Sequence, residues 1–223
     1  TSYQNVVIQE LCESYLALKC MQQNNKYPLS ETLLWNQKPM FDSVLKDLAL
    51  ADGELAMPTG NDWSMFLYDQ LPAFAAMATI FQDNEALMLE NLALKYTQAR
   101  QCTTNDGAWM LNSDIGPRRM GVTGHRVMMT YLFHEYFSVG NAQPSTWDDF
   151  VQAHYSTKYF ETQNLVRSLT KDRFTAFYWN DGKSAYSGEI VPNSVDKNKI
   201  IVPYRANNTG NFLGWYEVNG KST

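Results

Sequence analysis

Hydrophobic and polar positions alternate with the period of an α-helix over about the first 170 residues of the chain. Apolar side chains recur at helical spacing from Val7 to Leu18 and predict an opening helix with one apolar face. The same pattern predicts five further helices. They run through 40–51, over about 62–80, from 83 to about 100, to about 137, and from 145 to about 168.

Residues that favour helix ends support this division. Pro39 suits the first turn of the second helix, because the N–H that proline lacks would be unpaired there in any case. Asp83 is a good N-cap for the fourth helix, since its carboxylate can accept free backbone N–H groups. Ser145 and Asp148 approximate a capping box at the start of the sixth helix.

From Arg173 onward the pattern changes to short segments rich in aromatic and β-branched residues. Such segments, separated by turn residues, predict antiparallel strands, and Asn180-Asp181-Gly182 is a strong hairpin signal. Helices followed by strands, without alternation, indicate an α+β chain of two packed units. The predicted domains are a helical part over 1–170 and an antiparallel β part over 171–223.

Composition narrows the classes of partner and cofactor. A formal net charge of −5 argues against an obligate nucleic-acid binder, and no apolar stretch is long enough to span a membrane. Cys12, Cys20 and Cys102 have no metal-site spacing, and neither a metal nor a cofactor is predicted. Cys12 and Cys20 lie eight apart in a helical pattern, so we expect them to be buried free thiols. The chain begins in helical rhythm, without a signal peptide, and ends just after a strand. We therefore expect a piece of a longer polypeptide.

Two long polar loops indicate where a site should lie. If successive helices run antiparallel, the loops 52–61 and 101–124 emerge at the same end of the helices. Loops of this length without regular structure are more often functional than short ones. We therefore expect them to line one cleft, which the start of the third helix also faces.

The candidate residues of this cleft combine acids, amides, cations and aromatic rings. They are Asn61, Asp62, Trp63, Asp69, Trp109, Asp114, Arg118, Arg119, His125, Arg126 and Tyr131. The arginines would bind a carboxylate or sulfate, and an imidazole or phenolate can remove a proton. His125 and Tyr131 are expected to lie nearly on one helical stripe.

Structural roles remain open for the same residues. Asn61 and Asp62 could simply cap a helix, and His125 and Tyr131 could simply pack in the interior. The two arginines at 118 and 119 could be solvated, and Trp63 and Trp109 could serve packing instead of stacking on a sugar ring.

Helical hairpins that lead through "SLTKDRFTAFYWNDGKSAY" into aromatic strands resemble the (α/α)-toroid plus β-sandwich enzymes that act on polysaccharides. These include the chondroitin, hyaluronate and alginate lyases and the heparinase II/III-like group, whose toroid is similar to the six-hairpin glycosidases. The resemblance covers the whole chain at the level of architecture. It implies a partial toroid followed by the start of a β-sandwich. Asn61-Asp62-Trp63 stands where the hyaluronate lyase branch has Asn-Trp-Trp.

The resemblance implies a lyase that cleaves a uronic-acid-containing glycan by β-elimination, in a secreted or periplasmic protein. By the same resemblance, Asn61 and Arg126 are expected to neutralise the substrate carboxylate. His125 is expected to act as the base, and Tyr131 as the acid or a second base. The expected substrate-binding residues are Asp62, Trp63, Trp109, Arg118 and Arg119. No cofactor, metal or nucleic acid is implied.

Two alternatives stay open beside the lyase. A glycoside hydrolase on the same scaffold would need two carboxyl groups. Asp62, Asp69 and Asp114 are the candidates for them. A non-catalytic glycan-binding module would retain the cleft without the chemistry.

Overall fold

The computed structural model describes residues 4–22, 31–51, 53, 55, 70–99, 120–161, 165–178, 188–192, 217–218 and 221–222. The helices in these ranges are α1 (Gln4–Gln22), α2 (Glu31–Trp35), α3 (Lys38–Leu45), α4 (Leu71–Ile80), α5 (Asn84–Ala99), α6 (Met120–Tyr136) and α7 (Trp147–His154). The strands are β1 (Ser156–Phe160), β2 (Leu165–Leu169), β3 (Arg173–Tyr178), β4 (Gly188–Pro192), β5 (Glu217–Val218) and β6 (Lys221–Ser222). The chain is thus a mixed α+β protein, as predicted.

Helix α4 is the centre of the helical part. Its sequence LPAFAAMATI is apolar on every side, and each residue from Leu71 to Thr79 is buried. A helix that is hydrophobic all round must be covered on all faces. Helices α1, α5 and α6 pack against it, and the short connection 81–83 makes α4 and α5 a helical hairpin.

The core continues from the helices into the sheet without a break. Its largest fully buried aromatic side chains are Phe41, Phe74, Phe133, Phe150 and Phe174. The first four belong to helices and the last belongs to β3, yet all lie in one hydrophobic cluster. Each such ring contributes about 1.5–3 kcal/mol by leaving water.

Strands β1 to β4 form one antiparallel sheet in the order β1-β2-β3-β4. In the register, Arg167 lies opposite Lys158 on one side and Ala176 on the other. Strands β3 and β4 pair antiparallel, as the hairpin prediction requires, while its turn residues 180–182 lie outside the described residues. Strands β5 and β6 form a separate two-stranded pair.

The predicted sixth helix is wrong in its second half. Helix α7 ends at His154, and β1 and β2 occupy most of the segment that was expected to be helical. The reason lies in β2, where Leu165, Arg167 and Leu169 are buried and the residues between them are partly exposed. This alternation has a period of two, which a strand satisfies and a helix does not. The chain therefore changes from helix to strand at 155, and residue 170 lies in the turn between β2 and β3. The division into two domains stays a prediction.

The observed N-cap is the predicted residue at α5 and lies one position beyond the predicted residue at α7. Asp83 Oδ1 accepts the backbone N–H groups of Glu85 at 3.1 Å and Ala86 at 3.0 Å, as predicted. The N-cap of α7 is Thr146, whose hydroxyl accepts the N–H of Asp149 at 3.1 Å. The predicted pair of Ser145 and Asp148 is therefore displaced by one residue. Pro39 lies in the first turn of α3, as predicted.

A half-buried charge network joins the end of α3 to the start of α5. Lys46 Nζ lies 2.8 Å from both Asp83 Oδ2 and Glu85 Oε2, and 3.2 Å from Asp42 Oδ1. Burial acts to lower the pKa of Lys46, but its hydrogen bonds to Asp83 and Glu85 outweigh that effect and raise it. This network links the end of α3 to the start of α5 by charge-assisted contacts.

The thiols of α1 are free, as predicted, and Cys102 lies outside the described residues. Burial, followed by the charge of Glu13, raises the pKa of Cys12 to about 12, so its thiol is unreactive at neutral pH. None of the helices in the described part of the chain combines the length and the apolar character that crossing a bilayer requires.

Candidate functional site

The first half of α6 presents two predicted site residues, His125 and Arg126, to helix α1. Arg126 Nη1 donates to Gln9 Oε1, and Gln9 Nε2 donates to Glu13 Oε1. His125 Nε2 lies 3.9 Å from Glu13 Oε2. A guanidinium, an amide, a carboxylate and an imidazole thus follow one another along the contact between the two helices, which we call the α1–α6 seam.

Helix periodicity explains how this seam is held together. On α6, Met129 and Phe133 lie one and two turns beyond His125 and are buried, which fixes that face of the helix against the core. On α1, Gln9 and Glu13 are four residues apart and therefore share a face. Gln9 is fully buried, so its side chain can be held in one orientation by the groups on either side.

The chemistry available at the seam is proton transfer beside a cation. His125 is 43% exposed, so a ligand in solvent can reach its ring, while the carboxylate of Glu13 lies next to it. An imidazole can accept and return a proton near neutral pH. The guanidinium of Arg126, on the adjacent residue, can bind a carboxylate or stabilise developing negative charge.

Tyr131 does not join this group, and the expectation that it shares a stripe with His125 is wrong. Six residues along a helix correspond to a rotation of about 240°, which turns the two side chains well apart. Tyr131 is 61% exposed, and its hydroxyl donates to Glu135 Oε2 at 3.1 Å. This bond, followed by the charge of Glu135, raises the pKa of Tyr131 and makes a phenolate less available.

The remaining predicted site residues cannot be placed against the seam. Asn61, Asp62, Trp63, Asp69, Trp109, Asp114, Arg118 and Arg119 all lie outside the described residues. The shared face of the two long loops therefore stays a prediction. Within the described ranges, no group of His, Cys, Asp and Glu side chains could hold a metal ion.

Gln9 and Glu13 are the residues of the seam that sequence reasoning missed. Both lie on the opening helix, which was interpreted only through its apolar positions. Their four-residue spacing places them on one face, but no local pattern reveals that α6 packs there. Only the tertiary contact between residues 117 positions apart brings Arg126 to Gln9.

A second histidine of α6, His134, forms a shorter contact with a carboxylate of helix α5. His134 Nε2 lies 2.7 Å from Glu90 Oε1 of α5. The carboxylate is buried, and its Oε2 has no hydrogen-bond partner among the residues that the structure describes. The hydrogen bond to Glu90 raises the pKa of His134, although burial acts in the opposite direction.

This pair predicts a stability contribution that depends on pH. Because the pKa of His134 is raised in the folded state, protonated His134 stabilises the fold fully below its unfolded pKa of about 6.5. The contribution is lost as pH rises through the folded-state pKa. We expect His134→Gln, which keeps a donor but cannot titrate, to lower the urea midpoint more at pH 6 than at pH 9. A difference from the unsubstituted chain that is constant with pH would contradict this.

Comparisons of the chain with protein-family models, with curated proteins and with solved structures each found no match.

Proposed function

We propose that this protein degrades polysaccharides, and that it is a lyase that cleaves uronic-acid-containing glycans by β-elimination. The observation that supports this proposal is the α1–α6 seam. There an accessible imidazole, His125, lies beside the guanidinium of Arg126 and the carboxylate of Glu13. Elimination from a uronate needs a base for the C5 proton and a cation for the carboxylate, and the seam offers both.

In the proposed reaction, His125 removes the C5 proton of the uronate. The electrons of the C5–H bond form the C4–C5 double bond as the C4–O bond breaks. The leaving oxygen then takes a proton, which the His125 imidazolium holds. Arg126, together with Asn61, would neutralise the substrate carboxylate and so acidify the C5 proton. Tyr131 receives no role here, because its hydroxyl is bonded to Glu135.

Glu13 acts in this scheme as a positioning residue. Its Oε2 faces His125, and its Oε1 accepts from Gln9, which in turn accepts from Arg126. Such a chain of hydrogen bonds holds the imidazole and the guanidinium in a fixed relation to each other. Preorganised groups of this kind reduce the cost of reaching the transition state.

The finer architecture is part of the same proposal. The α4–α5 hairpin with α6 packed against it supports a partial (α/α)-toroid, and the antiparallel sheet supports the start of a β-sandwich. Under this proposal Asp62, Trp63, Trp109, Arg118 and Arg119 bind the glycan, and the protein acts outside the cell or in the periplasm.

A glycoside hydrolase is the second candidate, and Glu13 is the observation that favours it. Hydrolysis of a glycosidic bond uses two carboxyl groups that flank it. Glu13 is a partly exposed carboxylate at the seam. Its partner would have to come from Asp62, Asp69 or Asp114.

The proposal is tested by incubating the protein with a panel of uronic-acid polysaccharides and following the ultraviolet absorbance of a new C4–C5 double bond. We expect the absorbance to grow, and His125→Ala to slow it by about 100-fold or more. Met128→Ala, at an exposed position of the same helix, is the control and should keep most of the rate. Shortened chains without the chromophore would shift the assignment to hydrolysis. No shortening at all would leave a glycan-binding module.

A further inference from the structure

A groove of about 660 Å³ runs along α7, on different elements from the α1–α6 seam. Its described lining consists of Asp148, Val151, Gln152, Tyr155 and Lys171. The volume lies within the range of small-molecule sites in proteins, about 300–1,000 Å³. Val151 also packs in the core, whereas the other four side chains are exposed and have no part in the proposed lyase chemistry.

Four of the lining residues follow a single stripe. Asp148, Val151, Gln152 and Tyr155 are spaced at i, i+3, i+4 and i+7, which places them along one face of α7 and its C-terminal end. The stripe is about 10 Å long, since a helix rises 1.5 Å per residue. Lys171, from the turn between β2 and β3, forms the other side of the groove.

The polar groups of this groove are available to a ligand. The side chains of Asp148, Gln152, Tyr155 and Lys171 are exposed, and none of them has a hydrogen-bond partner within the described part of the chain. By contrast, Thr146, Asp149 and His154 nearby are all engaged in hydrogen bonds. The groove thus concentrates free donors and acceptors around one exposed aromatic ring.

This combination matches the surface of a sugar. A pyranose has an apolar C–H face, which can lie on the ring of Tyr155, and a rim of hydroxyls that need both donors and acceptors. Gln152 supplies both, and Asp148 supplies acceptors only. The ammonium of Lys171 adds a site for one carboxylate. Val151 and the ring of Tyr155 give the groove an apolar part, which suits the C–H face of a sugar.

We propose that this groove binds a short acidic oligosaccharide, with a sugar ring on Tyr155, hydroxyls against Asp148 and Gln152, and a uronate carboxylate on Lys171. The inference rests on the proposed function, because it names a second place where the same class of glycan is held. A groove of this kind would keep a long chain near the protein between successive cleavages.

The test is a titration calorimetry measurement with a chondroitin tetrasaccharide, in chains that carry His125→Ala so that the probe is not consumed. We expect Tyr155→Ala to weaken binding by about five- to tenfold. Tyr159→Ala is the matched control, because Tyr159 is 58% exposed against 63% for Tyr155 and does not line the groove. It should bind as the parent does.

Lys171→Gln provides a second readout that does not depend on the aromatic ring. It should reduce the affinity for the acidic probe while leaving that for cellotetraose, a neutral probe, unchanged. No binding by the parent, or equal binding by the two tyrosine variants, overturns the proposal. The absorbance assay tests the lyase proposal independently of these binding measurements. Cleavage without binding in the groove would overturn the groove proposal alone. Binding in the groove without cleavage would overturn the lyase proposal alone.

Discussion

Replacing Arg167 with alanine is expected to lower the free energy of unfolding by about 3–5 kcal/mol. The Arg167 side chain is 0% exposed, and Asp47, its ion-pair partner, is nearly as well buried. Nη2 donates to Asp47 Oδ1 and Nε to the Asp47 carbonyl, both at 2.7 Å. Nη1 donates to the Ser156 carbonyl at 3.0 Å and to that of His154 at 3.2 Å.

The size of this effect follows from what the truncated side chain leaves behind. Burial lowers the pKa of Arg167, and the charge and hydrogen bond of Asp47 oppose that shift, so each group depends on the other. Without the guanidinium, the buried carboxylate of Asp47 keeps, among the residues that the structure describes, only the exposed Lys158 as a cation. The backbone carbonyls at the junction of α7 and β1 also lose their donor, and an unpaired buried acceptor costs about 1–3 kcal/mol.

Arg173→Ala is the control for Arg167→Ala. Arg173 lies at the start of the neighbouring strand β3 and is exposed, and its guanidinium has no partner within the described ranges. Its loss should change stability by no more than about 0.5 kcal/mol. Urea unfolding of the two variants measures the difference. Equal losses would mean that the buried ion pair does not stabilise the fold.

Gly53→Ala is expected to cost about 3 kcal/mol or more, from two causes that add. Gly53 has a φ of +78°, in the left-handed region that a side chain disfavours. An added Cβ would also lie 2.3 Å from the backbone nitrogen of Ala93, in the interior of α5. A helix backbone cannot move locally, so α5 or the segment at Gly53 would have to shift. The carbonyl of Gly53 accepts from the buried side chain of Gln70, which resists that shift.

Gly140→Ala separates these two causes. Gly140 has a φ of +57°, so the conformational cost is similar. The three atoms nearest to its added Cβ all belong to the amide end of Gln82, the first at 2.7 Å, and an exposed flexible side chain can turn away. We therefore expect a loss of about 1–2 kcal/mol. Thermal and urea unfolding of both variants measures the loss of unfolding free energy in each. Equal losses for Gly53→Ala and Gly140→Ala would contradict the steric explanation.

The elements that could be predicted from the sequence are those whose own residues determine them. Helix α4 is apolar throughout, and Pro39 and Asp83 have preferred positions at helix ends, so each gives a local signal. The β3–β4 pairing was likewise indicated by a turn between two β-rich segments. These predictions needed no knowledge of the partner that each element packs against.

The parts that were missed depend on distant residues. In β2 the inward positions are Leu165, Arg167 and Leu169, and because an arginine rarely occupies a buried position, this alternation of period two is not visible in the sequence alone. What makes that position acceptable is Asp47, 120 residues earlier in the chain. Glu13 was overlooked as a neighbour of His125 for the same reason. Tyr131 was expected on the same helical stripe as His125, but six residues rotate the side chain by about 240° around the helix.

The order of strands in the sheet has a consequence for the order in which the chain can fold. Each strand from β1 to β4 pairs with its neighbour in sequence, so only short loops must close and the pairing of these strands can begin early. The α1–α6 seam instead requires contact between Gln9 and Arg126, which are 117 positions apart. Burial of Arg167 likewise requires Asp47, 120 residues earlier in the chain. We therefore expect the first pairing of the strands to precede both of these long-range contacts.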